Sequence, residues 1–374
     1  MRFLHLSLVI LFSYQARSAL ATAAEVCAED SSKFCDGATR PRELFPCLMR
    51  HSAEIAPLCK IEVERMISVR RQAAMRSGGA VGGLSGLSSF GPPVPIISFE
   101  TRYSPGANSP MNENKFGLSS PIYGDDQQSV ALSLAFTQIH FGETLVLSGG
   151  QSVSTEFSRA EVGVQYRRQL AQKRSWGARA SVGYAGDQIS QASNDATYSL
   201  SGTYGFPGSG DGYWVALVFI SNNSPLANYV PIPGIIYVYR TETLNAVFGF
   251  PIDSIQWTPF DLWTFSFSLF GATYGAEAAY GHSDRAQVFA AFHDSRQSFI
   301  PTARLSDRDR LTLHESRIGA GIRYPIIAGP QLEIEAGQAF NRSIYGGTSV
   351  FNQDLGKATI ASDFYLSASF KLAF

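Results

Sequence analysis

From residue 96 to the C-terminus, apolar and polar side chains alternate along much of the chain with a period of two. Residues 362–374 show this best, because their two parities differ in character along almost the whole segment. One parity holds Phe364, Leu366, Ala368, Phe370, Leu372 and Phe374, and the other holds Asp363, Tyr365, Ser367, Ser369, Lys371 and Ala373. Successive strand side chains point to opposite faces, so the pattern predicts a strand with one apolar and one polar face.

Sixteen such segments are predicted, at residues 96–103, 128–140, 143–152, 159–171, 174–185, 196–206, 212–221, 233–241, 243–250, 254–258, 262–270, 272–282, 285–295, 311–325, 329–342 and 362–374. Without the two weakest, 96–103 and 254–258, there are fourteen. Short turns, such as Phe141-Gly142, alternate with long loops at 104–127, 186–195, 222–232, 296–310 and 346–361. The array predicts a mainly β fold, an antiparallel transmembrane β-barrel of 14–16 strands with periplasmic turns and external loops. A two-layer β-sandwich is the alternative, but it would need a second apolar face that most segments lack.

The C-terminal segment resembles the last strand of bacterial outer-membrane β-barrels in its alternation and its terminal aromatic residue. In layout, residues 96–374 are similar to uncharacterised porin-like barrel families that also carry a signal peptide and a terminal Phe. The resemblance implies a bacterial outer-membrane location, with outer-membrane lipid and the barrel-assembly machinery as partners. It also implies an assembly signal formed by Phe364, Leu366, Phe370, Leu372 and Phe374.

The N-terminal segment, residues 1–23, has the pattern of a secretory signal peptide. Arg2 precedes an apolar run over residues 3–12, and small residues follow with Ala19, Ala21 and Ala23 near the expected cleavage site. A membrane anchor is the alternative, but this run is shorter than the roughly 20 apolar residues that a spanning helix needs. We therefore expect an exported chain.

The four cysteines, Cys27, Cys35, Cys47 and Cys59, lie close together after the signal peptide. In an exported chain such a set predicts two disulfides, and three connectivities are open. A zinc site is less favoured because the spacing lacks close C-x-x-C pairs. Helical patterns over residues 42–52 and 55–76 predict a small helical module over residues 24–76, located in the periplasm.

The stretches CAEDSSKFC and CLMRHSAEIAPLC resemble the cysteine-rich repeat of the Golgi cysteine-rich glycoprotein family. The resemblance covers residues 27–70 in a single copy. It implies a disulfide-bonded helical unit that could bind a periplasmic protein partner, and a cap or spacer is the alternative. Residues 77–95 are rich in Gly, Ser and Pro and predict a linker, which either stays in the periplasm or plugs the barrel.

Composition and charge narrow the function classes. Charged residues make up 16% of the chain, against about 25% in a typical soluble domain. A net charge of -1 argues against nucleic-acid binding, which needs a basic surface. The parity places nine charged residues on the lumen face: Arg167, Arg179, Glu277, Arg317, Arg323, Glu333, Glu335, Asp363 and Lys371. Such charges can select solutes in a pore, or they can pair across strands and fill a closed interior.

Two triplets, His293-Asp294-Ser295 and His314-Glu315-Ser316, contain the residue types of a hydrolase triad. Adjacent strand residues face opposite sides, so neither carboxylate shares a face with the His beside it, and we expect no catalytic residues. No metal or cofactor is expected either, because the acidic pair Asp125-Asp126 supplies too few oxygen ligands for Ca²⁺. The sequence thus predicts an outer-membrane channel for small polar solutes and not an enzyme. A structural anchor or binding protein is the alternative, and a lipid hydrolase is less favoured.

Overall fold

The computed structural model describes residues 26–35, 47–48, 50–51, 53–61, 63, 95–106, 110–125, 127–187, 195–208, 212–224, 226–241, 243–282, 285–326, 330–349 and 351–373. The chain divides into two compact units, Met1–Arg70 and Arg71–Phe374. The predicted signal peptide, nearly all of the predicted linker and Phe374 lie outside the described residues.

The first unit is held together by two disulfides, as predicted. Cys27 pairs with Cys59 and Cys35 pairs with Cys47, so the second bridge is nested inside the first. Helix α1 (Ala28–Phe34) lies between the first two cysteines, and Leu48, Ile55 and Val63 pack around the buried sulfurs. Much of the two longer predicted helices lies outside the described residues. In the part of the chain that is described, no helix is long and apolar enough to cross a membrane.

The second unit is made of β-strands. They are β1 (Ile96–Ser104), β2 (Met111–Gly124), β3 (Gln128–Phe141), β4 (Leu145–Val146), β5 (Ser152–Val153), β6 (Glu156–Gln169), β7 (Ser175–Gly186), β8 (Ala196–Pro207), β9 (Tyr213–Ser221), β10 (Ile232–Arg240), β11 (Leu244–Phe250), β12 (Ile252–Phe260), β13 (Trp263–Phe270), β14 (Thr273–Gly281), β15 (Gln287–Phe299), β16 (Arg310–Pro325), β17 (Gln331–Gly347), β18 (Lys357–Ile360) and β19 (Asp363–Ala373). A 3-10 turn, Ala171–Lys173, connects β6 to β7.

Sixteen of the described strands close into an antiparallel barrel. Each pairs with its neighbours in chain order, while β4 and β5 form a separate ribbon and β18 pairs with the end of β17. β1 pairs with β2 on one side and with β19 on the other, from Ile96 opposite Ala373 to Tyr103 opposite Leu366. The ring therefore has no open edge, which is the condition for a β-sheet to cross a membrane.

The number of strands agrees with the upper prediction, but two segments were assigned wrongly. β2 lies where the long loop 104–127 was predicted, and the predicted strand 143–152 is instead a connection containing β4 and β5. β2 escaped prediction because Asn112 and Asn114 share the parity of Phe116 and Leu118 and interrupt the apolar alternation. As a result, β3 runs opposite to its predicted direction, and Phe141-Gly142 lies at the opposite end of the barrel from the other predicted short turns.

The two ends of the barrel differ in the length of their connections. We call one end the turn rim; its connections are residues 125–127, 170–174, 208–212, 241–243, 261–262, 282–286 and 326–330. The other end, the loop rim, has 105–110, 142–155, 187–195, 222–231, 251, 271–272, 300–309 and 348–362. β1 begins and β19 ends at the turn rim.

The outward face of the ring is apolar and exposed. On β19, Phe364 and Leu366 are 59% and 53% exposed, whereas Tyr365 between them is fully buried. The alternation predicted for this strand is therefore confirmed for its described residues. The tryptophans lie at or near the turn-rim ends of their strands, and they are Trp176, Trp214, Trp257 and Trp263. Aromatic residues in such a band are typical of a membrane–water interface.

The β1–β19 seam can be tested by cross-linking. Thr101→Cys combined with Ala368→Cys should form a disulfide on mild oxidation, because the two positions are directly opposite and opposite Cα atoms lie roughly 4.5–5.5 Å apart. The control pair, Thr101→Cys with Leu366→Cys, is displaced along the ladder to about 7–8 Å and should stay reduced. Intact mass after thiol alkylation distinguishes the two. Equal cross-linking of both pairs would contradict the register.

Candidate functional site

The register places all nine charged residues predicted to line the lumen on the inward parity. These are Arg167, Arg179, Glu277, Arg317, Arg323, Glu333, Glu335, Asp363 and Lys371. Exposure separates the two parities on β16, where outward Ile318 and Ile322 are 54% and 57% exposed while the inward side chain of Arg323 is 12% exposed. That these residues line a path for solutes stays a prediction.

Three of the nine meet in one cluster in the half of the barrel nearer the turn rim. Arg323 binds Glu277 with two parallel hydrogen bonds of 3.0 and 2.9 Å, and its Nε lies 2.7 Å from Glu333 Oε2. The guanidinium also lies over the ring of Phe289, 4.7 Å from its centroid. The planar Arg side chain suits this two-carboxylate arrangement, in which acidic charge exceeds basic charge by one.

Other predicted lumen charges have partners on neighbouring strands. Arg179 lies 3.3 Å from Glu161, and the Tyr365 hydroxyl donates a hydrogen bond to Glu335. The Asp363 carboxylate accepts a 2.9 Å hydrogen bond from Ser104 and another from the Gly106 backbone. Arg317 lies over the Tyr365 ring. Pairing across strands, the alternative that the sequence left open, therefore describes much of this surface.

A second ionic cluster, which sequence reasoning missed, lies deeper in the interior. Arg102, Glu113, Glu315 and Arg342 are each 1–2% exposed. Arg102 binds Glu315 and also Glu113, the latter at 2.7 Å, and Arg342 Nε lies 3.0 Å from Glu315 Oε2. Gln297 donates a 2.8 Å hydrogen bond to the other oxygen of Glu113. Charges of opposite sign thus alternate through a network that links β1, β2, β16 and β17.

This network was not predicted from the sequence, because Glu113 was assigned to a loop. Glu315 was considered only as a member of a triad-like triplet that was judged not to be catalytic. A signal was nevertheless present in the sequence. Glu100 and Arg102 on β1 lie opposite Lys115 and Glu113 on β2, and opposite charges at facing positions favour strand pairing. Recognition of that complementarity would have identified β2.

Between this network and the loop rim, the interior is filled by apolar side chains. They are Met111, Ile139, Phe141, Leu145, Leu147, Val153, Phe157, Ala185, Phe299, Leu311, Leu313, Ile344, Ala358 and Ile360. The β4–β5 connection and β18 contribute to the set, so loop-rim segments fold inward onto the ends of the long strands. Met111 joins the two layers, because its sulfur lies 3.3 Å from Arg342.

One hairpin crosses the mouth of the barrel at the loop rim. We call residues 295–314, the upper parts of β15 and β16 with their connection, the cross-mouth hairpin. Ile300 forms a parallel bridge with Gly186 at the end of β7 and donates a 2.7 Å hydrogen bond to Ala185. β7 and β15 lie on opposite sides of the ring. Eight steps separate them in either direction, through β8 to β14 or through β6, β3, β2, β1, β19, β17 and β16. The hairpin therefore divides the mouth.

The wall formed by β9 and β10 departs from the predicted polar interior. Val215, Leu217, Ile236 and Val238 lie on the inward parity and are buried against one another. Outward residues such as Ile235 and Val218 are also apolar and exposed. These two strands are thus apolar on both faces, and part of the inner wall is hydrophobic.

Side chains from the two triad-like triplets contact one another between β15 and β16. As expected, Glu315 points inward, away from His314 and Ser316. Asp294, however, lies opposite Ser316 and accepts hydrogen bonds at one oxygen from His314, 2.9 Å away, and from Ser316, 2.8 Å away. A catalytic triad needs the His between the nucleophile and the carboxylate. Here the carboxylate lies between the other two, so the arrangement holds β15 to β16.

The remaining members of the triplets have other surroundings. His293 points inward opposite Arg317, and Ser295 donates a 3.4 Å hydrogen bond to the Glu315 backbone. Within the described ranges, no group of three or more His, Cys, Asp or Glu side chains is placed to hold a metal ion.

No protein-family model matches the chain, and no curated protein matches it. Solved structures do resemble it in fold. An outer-membrane channel from Pseudomonas putida F1 is 10% identical, with 77% of this chain and 98% of that one covered and a TM-score of 0.34. The P. putida toluene transporter TodX is 9% identical over 79% and 95%, with a TM-score of 0.34. LpxR from Salmonella typhimurium is 11% identical over 75% and 100%, with a TM-score of 0.29. Similarity at this level carries no information about activity.

Breaking the buried network should destabilise the barrel. Glu315→Gln leaves Arg102 and Arg342 buried without their shared carboxylate, which should lower the free energy of unfolding by roughly 3–5 kcal/mol. Urea unfolding of the refolded protein in lipid vesicles, followed by tryptophan fluorescence, measures the change. The control Glu143→Gln alters an exposed loop-rim carboxylate and should change the value by less than about 0.5 kcal/mol. Equal stability of both variants would contradict the assigned role.

Proposed function

We propose that the protein is a bacterial outer-membrane channel for small polar solutes. The observation that carries this proposal is the sorting of side chains across the closed ring, with apolar residues outside and many polar residues inside. Along β8, for example, outward Tyr198 and Leu200 are 48% and 54% exposed, while Ser199 and Ser201 point inward. A sixteen-stranded barrel is wide enough to hold water unless it is plugged.

The polar inner wall supports passage of polar solutes. Inward polar positions on β6, β7, β8, β12 and β13 include Gln165, Ser181, Ser199, Ser201, Thr203, Ser254, Gln256, Ser266 and Ser268. Hydroxyl and amide groups can replace part of the hydration shell of a solute. The inward charges of Arg179, Glu161 and the Arg323 cluster would set the field through which that solute moves.

The lengths of the connections support one orientation of the barrel in the membrane. Short turns are periplasmic and long loops external in barrels of this kind. The turn rim would then face the periplasm, where β1 begins and β19 ends. We expect the disulfide-bonded unit in the periplasm, as a binding module or a spacer. We expect outer-membrane lipid around the barrel and the barrel-assembly machinery at the β19 end.

A structural anchor is the second candidate, and a specific observation favours it. The loop-rim end of the interior is filled by the apolar layer and the buried ionic network. An anchor with a closed interior would hold the disulfide-bonded unit at the membrane and pass nothing. We do not expect hydrolytic activity, because the Ser316 hydroxyl donates its hydrogen bond to Asp294 and not to His314.

Ion selectivity tests the channel. Glu277→Gln combined with Glu333→Gln removes two carboxylates from around Arg323, so the permeability ratio of Cl⁻ over K⁺ should rise roughly twofold or more. Reversal potentials of the refolded protein in planar bilayers under a KCl gradient measure it. The control, Glu143→Gln with Asp354→Asn, removes two exposed loop carboxylates and should leave the ratio nearly unchanged. An unchanged ratio in the interior variant, or an equal rise in both, would contradict the proposed path.

A further inference from the structure

The cross-mouth hairpin leaves the barrel wall because its neighbour on one side ends early. β14 pairs with β15 only from Gln287 to Asp294, while β15 continues alongside β16 as far as Phe299. Beyond Asp294 this edge of β15 has no ladder with β14, and its last contacts there run from Arg296 to the Thr273 hydroxyl and the Ala272 carbonyl. Farther along, the edge makes a backbone contact on the far side of the ring, through Ile300.

The tip of the hairpin is held to the far wall by a small set of contacts. The backbone and hydroxyl of Thr302 both donate to the Asp187 carboxylate, at 2.9 and 2.7 Å. Arg159 donates a 2.9 Å hydrogen bond to the Ser298 carbonyl, and the ring centroids of Phe157 and Phe299 are 4.9 Å apart. The hairpin residues Phe299, Leu311 and Leu313 also belong to the buried apolar layer, so moving the tip uncovers part of that layer.

Arg304 adds an ion pair to the same side. It binds Asp195, next to β8, and lies 3.4 Å from Asp307 in its own connection. Burial alone would lower the pKa of Arg304, but hydrogen bonds and charges from the two carboxylates outweigh it and leave this pKa raised. The hairpin thus meets the far wall through a largely buried ion pair, in which the side chains of Arg304 and Asp195 are 11% and 8% exposed.

The connection between β9 and β10 rests on the hairpin through its described residues, 222–224 and 226–231. Asn223 donates a 3.0 Å hydrogen bond to the Ser298 carbonyl, and Arg310 donates to the Asn222 carbonyl. Leu226 contacts Gly271 in the β13–β14 turn, where a Cβ would come within 2.6 Å of it. The hairpin therefore supports this connection as well as spanning the mouth.

The base of the hairpin contains a backbone irregularity suited to bending. The β16–β17 ladder shifts register between His314 and Ser316, and Asn341 on the facing strand has a φ of 50°. The ladder is regular on both sides of this point, from Arg310 to His314 and from Ser316 to Pro325, so residues 343–347 of β17 would move with the hairpin. Bulges of this kind bend a strand and interrupt its pairing.

We propose that the cross-mouth hairpin is the gate of the pore, closed when Ile300 is bridged to β7 and open when the tip leaves it. The gate deepens the proposed function and rests on the barrel being a channel. Bending at the shifted register moves the Ile300–Thr302 segment off the far wall and withdraws support from residues 222–231. The Glu315 network stays with the wall strands, and the hydrogen bond from Gln297 to Glu113 ties the hairpin to that network.

A reversible cross-link tests the gate. Asp187→Cys with Thr302→Cys places two thiols where side chains are now hydrogen-bonded. Single-channel currents of the refolded full chain in planar bilayers should fall about tenfold on oxidation and recover on reduction. Each single-cysteine variant, treated in the same way, controls for effects of the redox agents on the two native disulfides.

A released variant separates failure of the gate from failure of the channel. Ile300→Pro with Asp187→Ala removes the backbone donor and the carboxylate that hold the tip, and its time-averaged current should exceed that of the unaltered protein by about tenfold. Equal currents from the locked and reduced forms would overturn the gate while leaving the channel intact. Absence of current from every variant, including the released one, would overturn the channel and the gate together.

Discussion

Backbone hydrogen bonding between the first and last barrel strands is the constraint on which the rest of the structure depends. In a membrane an unpaired strand edge would leave its amide groups without partners, at a cost of several kcal/mol for each group. The β1–β19 ladder removes that edge along almost the whole length of β1. Once the ring is closed, every barrel strand has an outward face and a face toward the interior. The period of two in the sequence then decides which residues occupy each face.

The interior of the barrel is filled in two different ways along its axis. Nearer the turn rim, polar and charged side chains pair across strands and leave groups that water can solvate. Nearer the loop rim, the ionic network around Glu315 and the apolar layer above it exclude water. The hairpin that carries Phe299, Leu311 and Leu313 supplies part of that layer. Extensions of wall strands thus take part in filling the mouth, and the proposed opening is a bend at the shifted register between His314 and Ser316.

Much of this fold could be predicted from the sequence, since strands such as β7, β8, β13 and β19 alternate plainly. β2 could not be found from alternation, because its inward charges are matched to β1 and its upper outward residues are asparagines. The segment at 145–153 misled for the opposite reason: Leu145, Leu147 and Val153 are apolar because they fill the interior. Parity also placed the lumen charges on the inward face. It could not reveal the Asp294–Ser316 contact or the Ile300–Gly186 bridge, which depend on register and on bending.

The central claim, a ring with lipid outside and water inside, is tested most directly by spin labels on two consecutive residues of β8. Leu200 points outward and Ser201 inward. In refolded protein in vesicles, a label at Leu200→Cys should be relaxed by oxygen dissolved in lipid, and a label at Ser201→Cys by a water-soluble nickel chelate. Continuous-wave power saturation measures both accessibilities. Opposite responses at the two neighbours are the predicted result, and the same response at both would contradict it.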